Sequence, residues 1–189
     1  MKKLIAIITL ALSLQGCFFI AGAAAGAAAV AVVYDHRKLE QIMMDRKITN
    51  TAVDKINAIP ELRDSAHINI TTFNKVVLIT GEATTPELRQ QAEDAIHSVA
   101  DVGQVYDEVA VKGPTSSLTR ASDSWITTKI KTQMLATKDL KSGTIKVISE
   151  NGTVYLMGLV TRDQADTTVN IARQVAGVQK VVKIFQYTN

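Results

Sequence analysis

A gapless match of the chain to itself constrains its fold more than any other feature. Residues 68–81, INITTFNKVVLITG, superpose on residues 145–158, IKVISENGTVYLMG, at an offset of 77. Farther on, Val99, Val102 and Val105 align with Val175, Val178 and Val181 at an offset of 76. Self-similarity at a fixed distance means one supersecondary unit used twice. Gly113-Pro114-Thr115-Ser116-Ser117 lies between the copies, a run of turn-forming residues that reads as a hinge. A chain of 189 residues has room for two small domains. Residues 48–113 read as the first domain, 114–121 as the hinge and 122–189 as the second domain.

Both copies carry the same order of signals. A helix opens each, with apolar positions Val53, Ile56 and Ile59 in the first and Ile126, Ile130 and Met134 in the second. Ser122 or Asp123 would cap the second of these helices. Two β-rich runs follow, joined by Phe73-Asn74-Lys75 or by Glu150-Asn151-Gly152. Asn-Gly suits a two-residue hairpin turn because both positions tolerate positive φ; Asn74-Lys75 lacks the glycine and is the weaker signal. Another helix starts after Thr85-Pro86-Glu87 and after Thr161-Arg162-Asp163. Its buried stripe is Leu88, Ala92, Ala95 or Ile96, and Val99 in one copy, and Ala165, Val169, Ala172 and Val175 in the other. A last strand closes each copy, at 105–111 and 181–187. The fold class is α+β: two tandem α-β-β-α-β units, each with helices packed on a small mixed three-stranded sheet.

The N-terminus places these domains in the cell. Met1-Lys2-Lys3, the apolar run from Leu4 to Leu14 and the small residue Gly16 form a secretory signal peptide over residues 1–16. Leu14-Gln15-Gly16-Cys17 resembles the bacterial lipobox, in which the cysteine is acylated and becomes the first mature residue. Cys17 is the only cysteine, so once acylated it leaves no thiol for a disulfide or a metal site. Phe18 in place of Asp after the cysteine agrees with sorting to the outer membrane. Residues 18–34 are Ala/Gly-rich and, without the signal, at the short limit for spanning a bilayer. Residues 35–47, DHRKLEQIMMDRK, read as a short helix or linker lifting the folded part off the membrane.

Charge divides between the copies. Residues 48–113 hold 5 Lys+Arg against 10 Asp+Glu, whereas residues 120–189 hold 10 against 5. A basic surface on the second domain favours anionic partners. Nucleic acid is excluded as that partner by export across the inner membrane.

The repeated unit resembles the BON domain, whose signature is a hairpin ending in Gly, then a helix, then a Val-rich turn into the final strand. Gly81 and Gly158 hold the first signature position, and Ala176-Gly177-Val178 matches the second. The first copy departs from it with Ala100-Asp101-Val102. A lipobox followed by two such units resembles the dual-BON lipoproteins of Gram-negative outer membranes. That resemblance implies association with anionic phospholipid such as phosphatidylglycerol, enrichment at the division site, and support of envelope integrity, with the outer-membrane protein assembly machinery as a partner.

Little in the chain points to catalysis. His36, His67 and His97 have no ligand spacing around them, and no nucleophile elbow, phosphate loop or zinc-protease motif is present. Glu87, Glu93 and Asp94 read as a solvated helix face. No enzyme activity, cofactor or metal is therefore expected. The feature that stands out is Trp125, the only tryptophan, with Leu135 on the same side of its helix and Lys129 and Lys131 around it. Aromatic rings at headgroup depth with ammonium groups toward phosphates make an interfacial membrane contact. Leu159-Val160 extends it, since the first copy has Glu82-Ala83 at those positions. The expected phospholipid-binding set is Trp125, Lys129, Ile130, Lys131, Leu135, Leu159 and Val160, with Ile130 shared with the core stripe. The alternative is a periplasmic scaffold whose Trp125 surface binds a protein.

Overall fold

In the computed structural model, which describes residues 37–188, the first helix starts well before the repeat does. The signal peptide, Cys17 and the Ala/Gly-rich stretch lie outside the described residues. Helix α1 (Leu39–Asn57) takes in most of the charged segment 35–47, read as a short helix or linker, and continues it into the repeat. It buries Asp45, Ile48, Ala52 and Ile56, spaced three or four apart. That phase corrects the sequence expectation: Val53 turns outward, and Ile59 falls in the following turn, half-packed against the core. A short helix α2 (Pro60–Ser65) follows, buries Leu62, and leads into β1 (Ala66–Phe73). Strand β2 (Val76–Ala83) pairs antiparallel with β1, helix α3 (Pro86–His97) crosses over, and β3 (Gln104–Val111) returns parallel to β2.

The second domain repeats this order with α4 (Ser117–Ala136), a 3₁₀ turn (Ser142–Thr144), β4 (Ile145–Glu150), β5 (Thr153–Val160), α5 (Arg162–Gln174) and β6 (Lys180–Tyr187). Strand orders are β1-β2-β3 and β4-β5-β6, each sheet mixed. The α+β class with two small three-stranded sheets is as the sequence led us to expect. Thr85 caps α3 by accepting the Leu88 N–H, and Thr161 with Gln164 forms a reciprocal capping box on α5.

The hairpin turns show why the weaker turn signal still works. Asn74 and Lys75 sit at φ of 49° and 66°, nearly matching Asn151 and Gly152 at 49° and 72°. The strained Lys75 is held by Asp45, whose carboxylate accepts the N–H of Asn74 at 2.8 Å and of Lys75 at 2.9 Å. Asp123 does the same for Asn151 at 2.8 Å and Gly152 at 2.9 Å. Asp123 is therefore not the expected N-cap. It is buried inside α4, whose cap is Ser116, accepting the Thr119 N–H at 3.2 Å. Residues Ser117 to Ala121 of the expected hinge are helix.

The signature glycine has a steric reason. A Cβ on Gly81, at φ +114°, would sit 1.8 Å from the His67 carbonyl oxygen, and one on Gly158 would sit 2.7 Å from that of Thr144. The first copy's missing second glycine is replaced by Asp101, which adopts the same left-handed backbone at φ 67° that Gly177 adopts at 90°.

Strand alternation decides how the domains meet. Val77, Ile79 and Ala83 of β2 face α1 and α3, while Val154, Leu156 and Val160 of β5 face α4 and α5. The opposite sheet faces share one cluster: Phe73, Val76 and Leu78 against Tyr155, Met157 and Ile184. The result is four layers, helices–sheet–sheet–helices, within one compact unit from Arg37 to Asn189. Polar ties border the apolar contact: Lys146 Nζ donates to the Thr72 carbonyl at 2.8 Å, and Asn69 Nδ2 donates to Glu150 at 3.0 Å.

Glu82 lies on this inter-sheet face, 1% exposed. Its Oε1 accepts the Asn151 side-chain amide at 2.9 Å and the Thr115 hydroxyl, with Lys112 Nζ at 3.8 Å. Its Oε2 has no hydrogen-bond partner among the described residues, and Glu82 lines a cavity of about 350 Å³ together with His67, Lys112 and Arg120. Burial would raise its pKa, but the two hydrogen bonds and the nearby Lys112 and His67 outweigh it and hold the carboxyl below its ordinary range.

Candidate membrane interface

Helix α4 is 20 residues long, about 30 Å at 1.5 Å per residue. Inward it buries Asp123, Ile126, Ile130 and Met134. Outward, at alternating spacings of three and four, run Leu118, Ala121, Trp125, Thr128, Thr132 and Leu135, all exposed. Leu118 is 81% exposed, Trp125 52% and Leu135 63%. The two threonines do not interrupt this stripe: Thr128 Oγ1 donates to the Ser124 carbonyl and Thr132 Oγ1 to the Thr128 carbonyl, each at 2.9 Å. With the hydroxyls engaged by the backbone, the methyl groups are what the helix can offer outward. Lys129 and Lys131 are exposed, about 80° to either side of the stripe at 100° per residue.

The structure therefore groups Trp125, Lys129, Lys131 and Leu135 on one surface and corrects three members of the expected set. Ile130 and Val160 are fully buried in the second domain's core and cannot meet a bilayer without unfolding it. Leu159, 37% exposed, alternates with Met157 onto the inter-sheet side, away from α4. The Glu82-Ala83 and Leu159-Val160 pairs are the ends of β2 and β5, and Ala83 and Val160 both face their own helices. Leu118 and Ala121 were missed because residues 114–121 read as hinge. The signal that finds them is Ser116, a good N-cap preceding Leu118.

On α1 the outward face is mixed. Lys47 takes the place of Trp125, each directly preceding a core isoleucine, and Leu39 and Met43 are followed on that face by Arg46 and Asn50. The carboxylates of α3 behave as a helix face. Glu87 is held below its ordinary range by its own backbone N–H and by Thr85, while Gln90 donates to Glu93 and Asp94. His67 lies near Asn69 and His97 near Glu93; His36 is outside the described residues. Among the described residues no group of three or more His, Cys, Asp or Glu is placed to hold a metal ion, and no helix is long and apolar enough to cross a membrane.

Comparison with known proteins agrees with the repeat. The BON domain profile matches residues 45–113 and 122–189. The chain is 32% identical over 187 residues to the outer membrane lipoprotein DolP of Haemophilus influenzae, covering 99% of this chain and 96% of the relative. It is 33% identical over 148 residues to a 21 kDa hemolysin of Actinobacillus pleuropneumoniae, covering 78% and 74%. With both copies matched and the fold in place, the chain belongs to the BON-domain family as a dual-domain, DolP-like protein.

Proposed function

We propose that this protein is an outer-membrane lipoprotein, acylated at Cys17, whose second BON domain lies on anionic phospholipid through the outer face of α4. The observation that carries the reading is the uncharged stripe from Leu118 to Leu135 with Trp125 at its middle and Lys129 and Lys131 on its flanks. Trp at headgroup depth and lysines reaching lipid phosphates are the parts of an interfacial helix. Each lysine near an anionic surface contributes roughly 1 kcal/mol. The printed name of the H. influenzae relative, an outer membrane lipoprotein, supports the anchor. Acylation at ~0.8 kcal/mol per buried CH₂ already secures attachment. The domain's contribution is then choice of location: recognition of anionic lipid would enrich the protein at the division site, where it supports envelope integrity alongside the outer-membrane protein assembly machinery.

The test uses the fragment 37–189, which contains every described element and lacks the anchor. In flotation, binding should appear with phosphatidylcholine–phosphatidylglycerol vesicles, weaken with salt, and shift Trp125 emission to the blue. Trp125→Glu should remove it, and in cells should disperse septal enrichment without releasing the protein from the membrane. Binding indifferent to phosphatidylglycerol overturns the lipid reading in favour of a protein scaffold.

A further inference from the structure

The first seven residues of α4, Ser117 to Asp123, include only one buried side chain, and it is Asp123 itself. Leu118 and Ala121, the leading end of the membrane stripe, thus sit on helical turns with no apolar anchor of their own. A helix end without core contacts is marginal in water. Polar ties replace the core here, and they converge on one residue of the other domain. Thr115, next to the N-cap, gives its hydroxyl to Glu82. Arg120 Nη2 donates to the Thr115 carbonyl at 3.0 Å, folding the linker back on the helix. Asp123 grips the Asn151-Gly152 turn, and Asn151 Nδ2 reaches Glu82 Oε1. Glu82 therefore holds α4 at two points, before its first turn and, through Asn151, at Asp123.

We infer that Glu82 of the first domain is a positioning residue for the membrane-facing helix of the second. The first domain then sets the lipid affinity of α4 by fixing where its Leu118 end lies, without touching lipid. The position equivalent to Glu82 in the second copy is Leu159, and the amide of Asn74, the counterpart of Asn151, is accepted there by Gln186, which pairs with Leu159 across β5 and β6. This inference rests on the lipid reading above and deepens it.

The experiment compares fragment 37–189 with its E82Q, E82L, N151G and E82L/N151G variants on vesicles of equal parts phosphatidylcholine and phosphatidylglycerol. Amide hydrogen exchange of residues 117–122 is followed in parallel. Asn151→Gly suits φ 49° and leaves the Asp123 bonds to the turn N–H groups in place, while it removes both side-chain bonds of Asn151, the one it donates to Glu82 and the one it accepts from the Thr115 hydroxyl at 3.1 Å. E82L and N151G should each weaken binding about threefold to tenfold and speed exchange at 117–122. The double variant should lose less than the two single losses combined, because both changes remove the same Asn151–Glu82 bond. E82Q, which keeps an acceptor, should bind as the unaltered fragment does. Singles that bind normally, or losses that multiply in the double variant, overturn the inference. If the unaltered fragment ignores phosphatidylglycerol, the lipid reading fails instead; exchange at 117–122 unchanged in N151G would then sink the positioning role as well.

Discussion

Removing the Asp123 carboxylate should destabilise the second domain by about 3–4 kcal/mol, from two charge-assisted hydrogen bonds worth roughly 1.5–3 kcal/mol each, one partly recovered by water. The two bonds differ in exposure. Gly152 is buried, so its N–H would be left without a partner, whereas the Asn151 N–H is half-buried and can be rehydrated. For a folded unit of this size that corresponds to a fall in Tm of about 6–16 °C. Asp123→Asn keeps one acceptor but turns an NH₂ toward the other amide, and should lose about half as much. Urea titration of fragment 37–189, read by Trp125 fluorescence, gives both values from a probe two residues from the change. A loss under about 1 kcal/mol for Asp123→Ala would refute the claim that this aspartate holds the turn.

Other perturbations test the rest of the architecture. Lys75→Gly should stabilise the first domain by about 0.5–1 kcal/mol, since it relieves a left-handed lysine at φ 66°; a loss in thermal melts would contradict this. Glu150, whose pKa is raised by burial and by repulsion from Glu82 and Asp123 against the Asn69 hydrogen bond, is penalised when ionised. Glu150→Gln should therefore stabilise the protein at neutral pH. Because the folded-state pKa lies above the unfolded one, that gain should vanish as pH falls through the ordinary glutamate range, which denaturation at several pH values will show. Met157→Ala, in the cluster shared by both sheets, should cost about 2–4 kcal/mol and split a single calorimetric transition into two; an unaltered single transition would count against coupling through this contact.

The chain's own pattern determined a great deal. Offset, alternation and turn chemistry gave two α-β-β-α-β units, the stripes Leu88-Ala92-Ile96 and Ala165-Val169-Ala172, and Trp125 with its lysines, because these depend on neighbours a few residues away. Long-range contacts decided what periodicity missed. The phase of α1 and the start of α4 follow from buried aspartates that reach turns 28 to 30 residues later, a pairing no local window contains. Whether Ile130, Val160 and Leu159 meet water was settled by which face of its helix or strand each side chain takes and by what covers that face. Glu82 read as an ordinary polar residue of the first copy; only the stacking of two sheets placed its carboxylate beside Thr115 and Asn151. Sequence periodicity fixes which residues share a face, and tertiary packing alone fixes what that face is against.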